Sequence, residues 1–169
     1  MNKTTTHNHI LYNNLLLLSR NIFFYEKCKL SDTFETRIYL MFFHFSIMLI
    51  IYKLKGTKFE QKMYDKFFDQ IEYNLRESGF GDVTVNKKMK DLNKIFYDIL
   101  LKINEGDLNA FKISKKLVFK YFEVLSAKKD NSYLVFETYF TNFYDFCFEL
   151  PLNNMIRDAI NFNKHYGST

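Results

Sequence analysis

Residues 33–56 read TFETRIYLMFFHFSIMLIIYKLKG. The apolar part, Ile38 to Tyr52, is bracketed by Arg37 and Lys53 and carries His44 and Ser46. It is shorter than the roughly 20 residues that a membrane-spanning helix needs. The stretch therefore reads as a helix buried in protein rather than in lipid. It is apolar around most of its circumference, so neighbouring elements must cover it from several sides. Asp32, with Glu35 three residues on, predicts the N-terminal cap, and Gly56 supplies the C-terminal stop. The expected helix runs from Thr33 to Leu54, central in the molecule, with Phe42, His44 and Ile47 away from solvent.

Outward from this helix the sequence continues in helical periods. Thr57-x-x-Glu60 repeats the capping pattern, and Phe59, Met63, Phe67, Ile71 and Leu75 recur every four residues on one face. Gly79-Phe80-Gly81-Asp82 reads as a tight connector. Beyond it Val85, Met89, Leu92, Phe96, Ile99 and Ile103 alternate spacings of four and three, which predicts an amphipathic helix starting near Val85 or Asn86. Asn104-Glu105-Gly106-Asp107 breaks that pattern, and Asp107 can cap a further helix through Ala110 toward Phe122, bent near Ser114. Residues 128–132 form a polar loop. An aromatic helix from Tyr133 to Phe148 follows and stops before Pro151, which disfavours helical geometry in the residue ahead of it. A short helix from Leu152 to Phe162 closes the chain, while His9 to Leu18 and Asn21 to Cys28 read as helical pieces upstream. No alternating strand pattern competes. The expected fold is all-α: a single compact bundle of six to eight helices.

Composition agrees with this organisation. The 169 residues are enough for one domain and too few for two, so residues 1–169 are expected to form one unit. Hydrophobic residues make up 47% of the chain, with 20 Phe and 12 Tyr against 5 Gly and 1 Pro, which favours long helices over turns. The net charge of +5 suits an acidic or membrane partner without requiring one. Cys28 and Cys147 lack any Cys-x-x-Cys spacing and are expected as unbridged thiols of a reducing compartment. The first nine residues show neither the apolar core of a secretory signal nor the Arg-rich amphipathic character of a presequence. The protein is accordingly expected in a cytoplasm, peripheral at most to an inner membrane.

Catalytic and metal chemistry find little support. There is no nucleophile elbow, Walker loop, dinucleotide fingerprint or His-Glu-x-x-His motif. Gly79-x-Gly81 reads as a helix stop and turn. Asp65, Asp69, Glu72 and Arg76 share one helix, and Glu72 with Arg76 is spaced as a surface ion pair. His44, set among Phe42, Phe43 and Phe45, reads as a hydrogen-bonded core residue. His7 and His9 resemble a metal pair but lack partners. No catalytic residue, metal site or cofactor is expected. Lys87, Lys90 and Lys94 line one side of their helix, and Lys112, Lys115, Lys116 and Lys120 form a second band. These bands are either solvated faces or, if functional, a match for ribosomal RNA or anionic lipid headgroups. No base-reading motif accompanies them, so recognition of a specific nucleic-acid sequence is not expected.

One family resemblance emerges from several segments together. Phe23-Phe24-Tyr25, Asp32-Thr33-x-x-x-Arg37, His44 and the long run from Tyr64 to Lys90 resemble the ubiquinol–cytochrome c chaperone family. The most specific piece is Leu75-Arg76-Glu77-x-Gly79-x-Gly81-Asp82 followed by Val85-x-Lys87-Lys88. Phe96-Tyr97 and Glu105-Gly106-Asp107-Leu108 fit its continuation. The resemblance is densest over residues 20–125. Ser31, Thr36 and Asn86 depart from the family's Pro, Gly and Pro; these are expected helix starts, where Ser and Asn can act as caps.

The resemblance implies an ATP-independent helical chaperone, not an enzyme. Such a protein would bind newly made cytochrome b, near a ribosome and with a small partner protein, and promote assembly of the cytochrome bc1 complex. Asp69, Arg76, Phe80, Asp82, Lys87 and Lys88 surround one connector and are the expected partner- or client-binding positions. The competing reading is a peripheral membrane or ribosome adaptor that works through its lysine-rich helix faces.

Overall fold

The longest apolar helix organises the molecule. In a computed structural model that describes residues 9–107, 110–127 and 129–166, the elements are α1 (Ile10–Ser19), α2 (Phe23–Glu26), α3 (Phe34–Leu54), α4 (Gln61–Glu77) and α5 (Asp82–Lys102). They continue with α6 (Lys115–Tyr121), α7 (Val124–Ala127), α8 (Ser132–Glu149) and α9 (Leu152–Asp158), a 3₁₀ turn over Ala159–Phe162, and α10 (Asn163–Tyr166). Among the described residues there is no β-strand beyond one isolated bridge, so the fold is all-α. His7, Leu108 and Lys128, which figured in the sequence reading, lie outside the described residues.

α3 is the hub. It packs on α1, α5 and α8, and Phe42, His44, Phe45 and Ile47 are fully buried. By length and apolarity α3 could cross a membrane, but most of its middle, from Ile38 to Ile51, is buried against neighbouring helices. Leucines of α1 cover one side and aromatic rings of the other helices cover much of the rest. Phe42 meets Phe67, Phe68 and Phe96, while Phe43 meets Phe122, Phe136 and Phe140, largely edge-to-face or tilted. That geometry adds about 0.5–1.5 kcal/mol per pair beyond area burial.

The periodic faces of α4 and α5 fall as the spacing predicts, with Phe67, Ile71 and Leu75 buried on one and Val85, Leu92, Phe96 and Ile99 on the other. Several boundaries differ from expectation. α3 is capped by Thr33, whose hydroxyl accepts from the Thr36 N–H at 3.1 Å, and Asp32 instead pairs with Arg37 at 2.7 Å. α4 begins at Gln61 with no side-chain cap from Glu60. The Thr57 N–H is already committed to the Tyr52 carbonyl at 3.0 Å, closing α3 around Gly56 at φ +71°. α5 begins at Asp82, about one turn earlier than the spacing suggests. Asn86 is thus inside the helix and caps nothing.

The largest correction concerns residues 104–107 and 110–114. Ala110 is not helical; residues 110–114 return antiparallel to Asn104 and Glu105 as an extended clasp. The Asn104 side-chain oxygen accepts from the N–H groups of Gly106 (2.8 Å) and Lys112 (3.0 Å), and the Glu105 N–H donates to the Lys112 carbonyl at 2.8 Å. A Cβ on Gly106 would collide with the Ala110 carbonyl oxygen, so this close approach requires glycine. The Asp107 carboxylate accepts from the Ala110 N–H at 3.1 Å, and the helix proper starts at Lys115 under Ser114, whose hydroxyl accepts from Leu117 N–H at 3.2 Å.

Candidate functional site

The α4–α5 connector is built by two glycines doing different work. Gly79, at φ +93°, ends α4 in the left-handed region, and its N–H donates to the Arg76 carbonyl at 3.0 Å. Gly81 is extended and occupies the N-cap of α5, so Asp82 falls in the first turn, where a carboxylate suits the helix dipole. Arg76 spans the junction, pairing with Glu72 one turn back on α4 at 3.0 Å and with Asp82 across the turn. The hydrogen bond to Glu72, followed by that to Asp82, raises the Arg76 pKa. The pairs are exposed, so they orient the connector more than they stabilise it.

Phe80, at the tip of the connector, keeps 41% of its surface exposed, and the Lys88 ammonium sits 4.8 Å from its ring centroid. Lys88 also lines a groove of about 220 Å³ between the start of α3 and the flank of α5. Phe34, Tyr39, Leu75, Leu92 and Ile95 form its apolar wall, with Glu35, Lys88 and Asp91 among its polar residues. Phe34 is 44% exposed. Two partly open rings beside an apolar groove with charged margins make a surface suited to an apolar segment of a partner.

The residues singled out by sequence do not form one cluster. Arg76 joins Asp82, and Phe80 joins Lys88. Asp69 lies two turns before Arg76 on the outer face of α4, and Lys87 points away from the groove because adjacent helical residues are about 100° apart. Phe34, Tyr39, Leu92 and Ile95 were missed. Leu92 was assigned wholly to the core. Phe34 gave no signal, because a helix apolar on nearly all sides carries no periodic mark of which residue faces an opening.

His44 is a core residue as its Phe neighbours suggest. Nδ1 lies 2.6 Å from the Leu40 carbonyl, which can only accept, so Nδ1 carries the proton and Nε2 accepts from the Tyr139 hydroxyl at 2.8 Å. Burial pushes its pKa down to about 3, opposed only in part by the Leu40 bond. Cys28 and Cys147 form no disulfide and are both buried, and burial pushes the Cys147 thiol up, away from the reactive thiolate.

A larger cleft, about 650 Å³, lies between the end of α5 and α6 and is lined by Lys102, Asn104, Glu105, Ser114, Lys116, Leu117 and Lys120. Its polar groups largely serve the fold. Asp98, beside it, accepts from Lys102 at 2.5 Å, from Lys120 at 2.7 Å and from the Tyr121 hydroxyl. The Ser114 hydroxyl donates to Glu105 at 2.7 Å while capping α6. Among the described residues no three His, Cys, Asp or Glu side chains gather as a metal site.

An all-α protein whose identifiable polar contacts tie helices together, and which carries an open apolar groove, has the character of a binding protein. The family model described as ubiquinol–cytochrome C chaperone matches residues 26–128, and the chain belongs to that family. Membership is consistent with a non-enzymatic role in assembly of ubiquinol–cytochrome c reductase, the bc1 complex. Comparison with curated proteins and with solved structures gave no match.

Proposed function

We propose that this protein binds newly made cytochrome b and holds it for assembly into the bc1 complex, taking an apolar client segment in the groove lined by Phe34 and Lys88, with the Phe80 ring beside Lys88 extending the contact. The observation that carries this reading is the family match, which covers both walls of the groove. A groove of this size takes one or two large side chains, each contributing about 1.5–3 kcal/mol on burial. Micromolar affinity corresponds to about 8 kcal/mol, before the cost of ordering both partners. Capture in the groove alone is therefore weak and short-lived, which suits a chaperone that must release its client. Apolar burial drives it, so no nucleotide is required.

The test is capture of cytochrome b, or of peptides from its transmembrane segments, by the purified protein without nucleotide. Phe34→Ser with Phe80→Ser should lower capture at least tenfold, and Lys88→Glu should lower it further. Unchanged capture by these variants, with melting behaviour preserved, would place the client elsewhere. A ribosome contact or a small partner protein, if used, engages other faces and should survive these substitutions.

A further inference from the structure

The solvent side of α5 carries a feature that neither the core nor the groove uses. At about 100° per residue, Val83, Lys87, Lys90, Lys94, Tyr97 and Leu101 fall within a narrow stripe opposite the buried Val85, Leu92, Phe96 and Ile99. The stripe runs for about 27 Å along the helix. Val83 is 85% exposed and Leu101 79%, more than any other large hydrophobic residue described, and they stand at its two ends. Tyr97 is half exposed, its hydroxyl 3.4 Å from that of Tyr64. None of the three lysines forms an ion pair with a described residue. The acids flanking the stripe on α5 are Asp91, at the groove, and Asp98, already bound by Lys102 and Lys120.

We propose that this stripe docks the protein on an anionic membrane surface, with α5 lying in the interface plane. Uncompensated lysines match the negative potential of acidic headgroups. Their alkyl stems can lie along the interface with the ammonium in the headgroup layer. Exposed aliphatic side chains at both ends are unfavourable in water and gain by entering the acyl boundary, as on interfacial helices. A phosphate backbone such as RNA would satisfy the lysines but offers nothing to Val83 and Leu101, and the stripe lacks both arginine and a concave shape. With α5 flat on the membrane, the groove on its other flank would stay open to a client beside the bilayer.

The full-length protein is floated with vesicles of phosphatidylcholine alone, and with vesicles made two to one with phosphatidylglycerol, at low and high ionic strength. Salt-sensitive binding to the anionic vesicles alone is expected. Each lysine should contribute about fivefold, so Lys87→Gln, Lys90→Gln and Lys94→Gln together should weaken partitioning on the order of 100-fold. Val83→Ser with Leu101→Ser should weaken it roughly tenfold. All five positions face solvent, and melting curves check that the variants fold. Equal binding to neutral vesicles, unchanged binding by the triple variant, or lysine-dependent binding to polyuridylate with no vesicle binding would each overturn the proposal. No client is present in this assay, so its failure would leave the client reading standing.

Discussion

His44 is the residue whose environment makes the sharpest demand. Phe24, Phe140 and Phe143 pack around its ring, and its two nitrogens are used by Leu40 and Tyr139. With the folded pKa near 3 and the unfolded value near 6.5, the unfolded chain binds a proton between these limits that the folded chain does not. The contribution to stability is complete above about pH 6.5 and declines as pH falls toward 3, approaching about 1.4 kcal/mol per pH unit below the upper limit. Urea unfolding between pH 7 and 5 should show this slope, and His44→Gln should flatten it; an equal slope in the variant would contradict the assignment. Tyr139→Phe strands Nε2 among aromatic rings and should cost about 1–3 kcal/mol at pH 7. At the same scale, adjacent Lys87 and Lys88 illustrate what a linear motif hides: they sit together in the family-like segment, yet one faces open solvent and the other a groove.

At the scale of elements, the apolar periods of α4 and α5 were readable because each helix has one wet face and one dry face. The clasp between residues 104–107 and 110–114 was not read. Phe111 and Ile113 are buried on either side of exposed Lys112, an alternation too short to outweigh a capping signal at Asp107. What holds α6 after this clasp is Asp98. Lys102, Lys120 and Tyr121 keep its carboxyl well below the usual range, so its contribution is present above about pH 4 and is lost as pH falls further. The lysines are more than half exposed, which limits each pair, while the tyrosine bond is partly buried. Asp98→Asn should therefore cost only about 1–2 kcal/mol. Amide exchange should accelerate first in Lys115–Tyr121; uniform acceleration across all helices would argue against a local clamp.

For the molecule as a whole, an aromatic core around α3 carries two distinct outward surfaces on α5, one a groove and the other a cationic stripe. If the groove serves cytochrome b, removing the protein should reduce assembled bc1 complex while leaving cytochrome b transcript unchanged. Spectra of b-type haem and bc1 activity in a deletion strain provide the measurement. Normal values, in a strain without a second family member, would sink the client assignment.

The sequence by itself determined that the chain is helical, that α3 is buried, where Gly56 and Gly79 end helices, and which family's pattern residues 75–90 follow. Each of these depends on spacing within a turn or two, or on an apolar run bracketed by Arg37 and Lys53. The tertiary structure alone decided which side of α3 is left open at Phe34, that Asp98 reaches across to α6, and that Lys87 and Lys88 serve different surfaces. These depend on the rotation of one helix against another. For a helix such as α3, apolar on nearly every side, no periodicity records that rotation, and packing against α1, α5 and α8 sets it.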